Sequence, residues 1–238
     1  MRARALAALL AAALAVAGAA CQFTLLRGSG ELLEQTRGLS DFDRLAASHA
    51  FEVEVRVGTE PAVTVTSDDN VIDHVTMHVS NGMLQLGLRP GFQVRSATLQ
   101  AVVTVPGLEE VRASGASEVR LADPLAGERL RVRSSGASEI VGPVDVTELE
   151  VAASGASTIR LEGRAGTARL EASGASDLAL AGLTVADARV QLSGASDGLV
   201  EVDGTLEAQL SGASSLAYTG SPTLTRESVT GASSLEAR

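Results

Sequence analysis

Residues able to do chemistry fall into a few groups, and each must be weighed against the pattern around it. Serines recur in a Ser-Gly-Ala-Ser motif, starting at Ser114, Ser135, Ser154, Ser173, Ser193 and Ser211, with a Thr230-Gly231-Ala232-Ser233 variant last. A nucleophilic serine needs a base and an exposed elbow. No histidine follows His78 to act as that base, and seven near-identical serines make a ladder, not a single nucleophile. Asp177 and Asp197 are the carboxylates best placed for glycan hydrolysis, which uses a pair about 5–9.5 Å apart. Both fall at the same polar offset of successive repeats, the position of a solvated face. His74 and His78 are four residues apart; on the strand that Val75, Met77 and Val79 predict, that spacing is about 13 Å, too far for one shared ion. Both histidines are expected to be exposed. Asp68-Asp69-Asn70 has the composition of a calcium loop and equally that of a turn, which is the simpler reading. No catalytic residue, cofactor or metal ligand is assigned.

The single cysteine, Cys21, can form neither an internal disulfide nor a cysteine-based metal site. Arg2 and Arg4 precede an apolar run from Ala5 to Val16, and Ala17-Gly18-Ala19-Ala20 leads into Cys21. A positive start, a short apolar run and a small-residue exit predict a secretory signal peptide over residues 1–20. The run is too short for the ~20 residues of a membrane-spanning helix. A cysteine at this junction resembles a bacterial lipobox, whose thiol receives a diacylglycerol, although Gly18 stands where such sites usually carry leucine. Cleavage before Ala20, leaving a free thiol, is the alternative. Residues 21–38, containing Gly28-Ser29-Gly30, then read as a tether to the anchor.

The elements that must position all this are built without large aromatics. The chain has four Phe, one Tyr and no Trp, so its core is filled by Val, Leu, Ile and Ala. Formal net charge is −10, with no basic patch, which argues against nucleic acid as a partner.

The motif glycines Gly115, Gly136, Gly155, Gly174, Gly194, Gly212 and Gly231 are 21, 19, 19, 20, 18 and 19 residues apart. A period near 20 signals a solenoid. Four residues before the glycine stand Val111, Val132, Val151, Leu170, Val190 and Ala208; four after stand mainly Val119, Ile140, Ile159, Leu178, Leu216 and Leu235. Odd offsets are polar, with Glu110, Arg131, Glu150, Arg169, Arg189, Glu207 and Arg226 forming an outward column. This alternation predicts two strand segments per coil, flanking a bend at the glycine. The same phase turns Ser117, Ser138, Ser157, Ser176, Ser196, Ser214 and Ser233 inward as a ladder of hydroxyls bonded to backbone or to one another. The architecture expected for residues 109–238 is all-β: a right-handed parallel β-helix of about seven coils.

Residues 39–108 lack the motif but alternate through Phe51, Val53, Val55 and Val57 and carry an Asn81-Gly82 hairpin signal. They predict an N-terminal β-layer, without helix, closing one end of the solenoid. Phe51-Glu52-Val53-Glu54-Val55, Asp68-Asp69-Asn70, Asn81-Gly82-Met83-Leu84 and Val105-Pro106-Gly107-Leu108, followed by the serial coils, resemble the bacterial GIN-domain family, described as head domains of putative auto-transporter adhesins. The resemblance covers Leu39 to Arg238 and implies a β-helix-like fold, an envelope location and no reaction. Expected partners are the membrane, through a lipid on Cys21, and a surface glycan or envelope protein. The final coil, with Glu227 at an inward offset and Pro222 in its strand, is expected to be an uncapped but blocked edge that keeps the protein monomeric.

Overall fold

Val, Leu and Ile at every second position bury one face of a strand, and a bend every ~20 residues lets each coil cover the next. The computed structural model describes residues 24–238 and shows how this works out. In chain order the strands are β1 (Thr24–Arg27), β2 (Leu32–Arg37), β3 (Arg44–Ala47), β4 (Glu52–Val57), β5 (Ala62–Asp68), β6 (Val75–Ser80), β7 (Met83–Leu88), β8 (Phe92–Arg95) and β9 (Leu99–Val105). Then come β10 (Glu110–Ala113), β11 (Glu118–Leu121), β12 (Leu125–Ser134), β13 (Glu139–Ala153), β14 (Thr158–Ala172), β15 (Asp177–Leu192), β16 (Asp197–Leu210), β17 (Ser215–Gly220), β18 (Thr223–Val229) and β19 (Ser234–Ala237).

Two parallel ladders meet at the Ser-Gly-Ala-Ser corner. On one side Leu45, Val111, Val132, Val151, Leu170, Val190 and Ala208 are successive register partners. On the other, Val53, Val119, Ile140, Ile159, Leu178, Gly198 and Leu216 are. All the aliphatics in both columns are buried. Coils of unequal length are accommodated away from the corner: register shifts fall between Ile159 and Glu162 and between Leu180 and Thr184.

The ladder starts earlier than residue 109. β3 pairs with β10 and β4 with β11, so Ser48-His49-Ala50-Phe51 forms a corner stacked on Ser114-Gly115-Ala116-Ser117. The Ala50 amide donates to the Gly115 carbonyl at 3.0 Å, and His49 and Ala50 take positive φ of 64° and 60°. Phe51, fully buried, replaces the inward serine and fills the end of that column. β7 and β9 add one further parallel layer beneath β3 and β4. Antiparallel pairing then takes over: β5 on β9, β2 on β5, and β6 on β7 through Asn81-Gly82, both with positive φ. Parallel coils thus end in an antiparallel cap.

Three expectations need correction. Residues 21–38 are not a tether throughout: β1 pairs in parallel with β8, and β2 with β5. The cause is the Asp68-Asp69-Asn70 turn. The Asp68 carboxylate accepts from the amides of Gly30 and Thr98, each at 2.7 Å, and Asn70 Nδ2 donates to the Arg27 carbonyl at 2.9 Å. Residues 71–74 are not strand: Ile72–His74 is a 3-10 turn, and His74 is half-buried, stacked on Phe92 at 4.1 Å. Glu110 does not face solvent; its side chain is 3% exposed.

Candidate binding face

At each corner two inward-turning features close the chain on itself. Ser157 Oγ donates to the Ser154 carbonyl at 2.9 Å, and Ser117, Ser138, Ser176, Ser196 and Ser214 donate likewise to the carbonyl three residues back, each at 2.9 Å. Between coils the same hydroxyls accept: the Ser117 amide donates to Ser138 Oγ and the Ser214 amide to Ser233 Oγ, both at 3.2 Å. The six serines from Ser117 to Ser214 are at most 2% exposed, so these hydroxyls meet backbone and no ligand. Gly155 shows why the corner takes glycine. Its φ is +80°, and a Cβ there would lie 2.6 Å from the Gly136 carbonyl oxygen, which accepts from the Ala156 amide at 2.8 Å. Gly174, Gly194, Gly212 and Gly231 repeat this approach to the preceding glycine, each at 2.5 Å.

Beside the corner the surface forms an open trough of about 660 Å³ running from Ala46 and Ser48 to Gln191 and Ser193. One wall carries the outward serines Ser114, Ser135, Ser154 and Ser173; the other carries Arg112, Arg133, Ala152 and Glu171. Its charge is concentrated at the first coils. Glu110 accepts from Arg112 Nε at 2.7 Å and Nη2 at 3.0 Å, and lies 3.4 Å from Arg133 Nη1. One buried carboxylate therefore orients two guanidinium groups on adjacent rungs and leaves the cluster with a net positive charge.

Across the corner a second column reads Glu52, Glu118, Glu139, Thr158, Asp177 and Asp197 in register. Glu139 is paired with Arg160 at 2.9 Å. Desolvation pushes the Asp177 carboxyl above its ordinary pKa, and the adjacent Asp197 adds to the rise. Neither aspartate lines the trough, and His74 sits in the cap, so these three groups converge on no common cavity. The outward charge column forms pairs at some steps only: Arg131 with Glu150 at 2.9 Å, and Glu207 with Arg189 at 3.3 Å and Arg226 at 3.5 Å. Cys21 lies outside the described residues.

The trough was not read from the sequence. Its signal is the offset three before each glycine, where Arg112, Arg133, Glu171 and Gln191 are long and Ala152 leaves a gap among them, unlike the uniformly charged column two residues earlier.

Comparison with known proteins follows from this geometry. Residues 41–222 match the profile of the family described as putative auto-transporter adhesin, head GIN domain. Among solved structures, a putative adhesin from Bacteroides fragilis is 20% identical, with a TM-score of 0.82 and coverage of 90% of this chain and 100% of that one. A putative lipid binding protein from Parabacteroides distasonis is 18% identical, with a TM-score of 0.75 and the same coverage. A putative adhesin from Parabacteroides merdae is 19% identical, with a TM-score of 0.70, covering 90% and 99%. At these identities the likeness establishes the fold. No curated protein matches the chain. Among the described residues no helix is long and apolar enough to cross a membrane.

Proposed function

Because the chain belongs to the family of putative auto-transporter adhesin, head GIN domains, we propose that it is an exported envelope protein, lipid-anchored at Cys21, that works as a binding or adhesion module and not as an enzyme. The observation carrying this reading is the trough: an open face of serines, alanines and a few charged side chains, continuous over several coils and set on a backbone that the corner serines and glycines hold rigid. Its mixture of alanines with Ser, Arg, Glu and Gln suits a partner that offers both apolar and hydrogen-bonding surface, a surface glycan or an envelope protein.

Envelope glycans and solubilised envelope proteins captured on the immobilised domain test the reading. Ala152→Trp, which fills the trough from a half-buried, outward-facing rung, should abolish capture while the protein still melts cooperatively. Absence of any capture favours the second reading, an envelope scaffold whose coils only space other parts. The anchor is tested separately by intact mass of the protein extracted from membranes. A diacylglycerol adduct on Cys21 is the expected result, and a soluble product starting at Ala20 would rule it out.

A further inference from the structure

The antiparallel cap differs from the coils in how its charges are arranged. Every arginine from Arg112 to Arg226 has a carboxylate within 3.5 Å. Arg27, Arg37, Arg89 and Arg95 all lie in the cap, and none has a carboxylate partner among the described residues. Two of them are neighbours: Arg27 on β1 is the register partner of Arg95 on β8. Strand spacing puts their backbones about 4.8 Å apart, an arrangement of like charges that destabilises the pair when nothing neutralises it.

The same small sheet exposes apolar surface. Leu26 and Val94 are paired and pack toward the core, so Leu25, Arg27, Gln93 and Arg95 occupy the opposite face. Leu25 is 59% exposed, the largest value among the big hydrophobic residues described, and Leu32 and Leu33 follow at 53% and 50% on β2, the next strand in the chain. The acidic residues of this segment, Glu31 and Glu34, belong to the β2 side, and the β1–β8 face itself carries no carboxylate. A leucine beside two unpaired arginines is the composition of a surface that meets anionic headgroups while burying apolar area beneath them.

Charge complementarity names that occupant, and chain geometry agrees with it. Cys21 precedes Leu25 by four residues, which span at most roughly 14 Å when extended. A lipid on that cysteine would root the chain at the bilayer within reach of this face. The rest of the molecule is repelled there, since the whole chain carries a formal charge of −10.

We propose that the β1–β8 face is a membrane-docking surface, on which Leu25, Arg27 and Arg95 seat the cap against an anionic phospholipid bilayer and point the trough-bearing coils away from it. The proposal shares the envelope location of the reading above but needs neither the lipid nor a ligand in the trough, so the two can fail separately.

Protein beginning at Gln22 keeps all of residues 24–238 and lacks Cys21, so it tests the face without a lipid anchor. It is sedimented with vesicles of phosphatidylethanolamine containing phosphatidylglycerol, and with vesicles of phosphatidylcholine alone. Binding to the anionic vesicles, lost in high salt, is expected. Arg27→Gln should weaken it about fivefold and the Arg27→Gln/Arg95→Gln pair about 25-fold, from the roughly 1 kcal/mol that each surface arginine contributes. Leu25→Ser should weaken it about tenfold. None of these exposed substitutions should lower melting, and loss of an arginine should raise it slightly. Equal binding to both vesicle types, no binding, or binding indifferent to the substitutions overturns the proposal. Pelleting without vesicles, relieved by Leu25→Ser, would assign the face instead to a second copy of the chain.

Discussion

Asp68 and Asp177 show how one residue type is pushed in opposite directions by its surroundings. The Asp68 carboxylate is buried and held by the amides of Gly30 and Thr98, which favour its charged form and lower its pKa below the ordinary 3.8. Its contribution to stability is therefore complete above that value and is lost as pH falls through the lowered native pKa. Asp68→Ala should cost about 1.5–3 kcal/mol at pH 7, the worth of hydrogen bonds to a charged group, and flatten the acid limb of the stability curve. A melt of the variant as steep in acid as the parent's would contradict this. Asp177 is raised by desolvation and by Asp197, so its ionisation costs stability as pH rises from 3.8 toward the raised native value, and the full cost persists above it. Asp197→Asn should raise Tm at pH 7 by the equivalent of about 0.2–1 kcal/mol, less in high salt, with the gain shrinking on acidification. A gain that grows in acid would have the wrong sign.

The corner is the element that repeats, and its two inward features are not equally replaceable. Ser157→Ala removes the hydroxyl that donates to the Ser154 carbonyl and accepts from the Ser154 amide, and should cost about 1–3 kcal/mol. Gly155→Val places a β-branched side chain at φ +80° with its Cβ 2.6 Å from the Gly136 oxygen, so the drop in Tm should be well beyond that of Ser157→Ala. Equal tolerance of both in a thermal melt would sink this account of the corner. Period and phase made these coils legible, because each glycine column carries the same aliphatics at the same even offsets. Those offsets also exist around His49: Leu45 lies four before it, Val53 four after and Val55 six after. This earlier corner escaped notice because β5 to β9 separate His49 from Gly115 by 66 residues, and because Phe51 replaces the serine. The folding of residues 24–38 was hidden for a different reason. Leu25, Leu32 and Leu33 bury little of themselves, and what holds the segment is long-range: a carboxylate from Asp68 and an amide from Asn70, which no local periodicity records.

At the scale of the whole molecule the two ends of the stack are finished differently. At the N-terminal end parallel rungs give way to antiparallel β2, β5 and β6, whose pairing covers the first layers. At the other end β18 and β19 pair, among the described residues, only with β16 and β17. In a stack whose coils are stabilised chiefly by their neighbours, a coil with one described neighbour has half the support of those inside it. Its burial shows the consequence: every residue of β18 is exposed, including Leu224 at 40% and Val229 at 36%. Glu227 stands in register with the buried Ala208, in the column that is aliphatic in all the coils before it. A further coil, from this chain or another, could cover that column only by burying the Glu227 carboxylate without a partner, which is strongly unfavourable. Pro222, just before β18, provides no amide for such a coil. Glu227 thus opposes end-to-end stacking of copies through an otherwise open rung, as inward charges do on edge strands. Replacing it with valine should complete the aliphatic column and promote association at high protein concentration, while the parent sediments as a monomer. Should Glu227→Val remain as monomeric as the parent in sedimentation velocity over the same concentration range, the charge is not what blocks the edge.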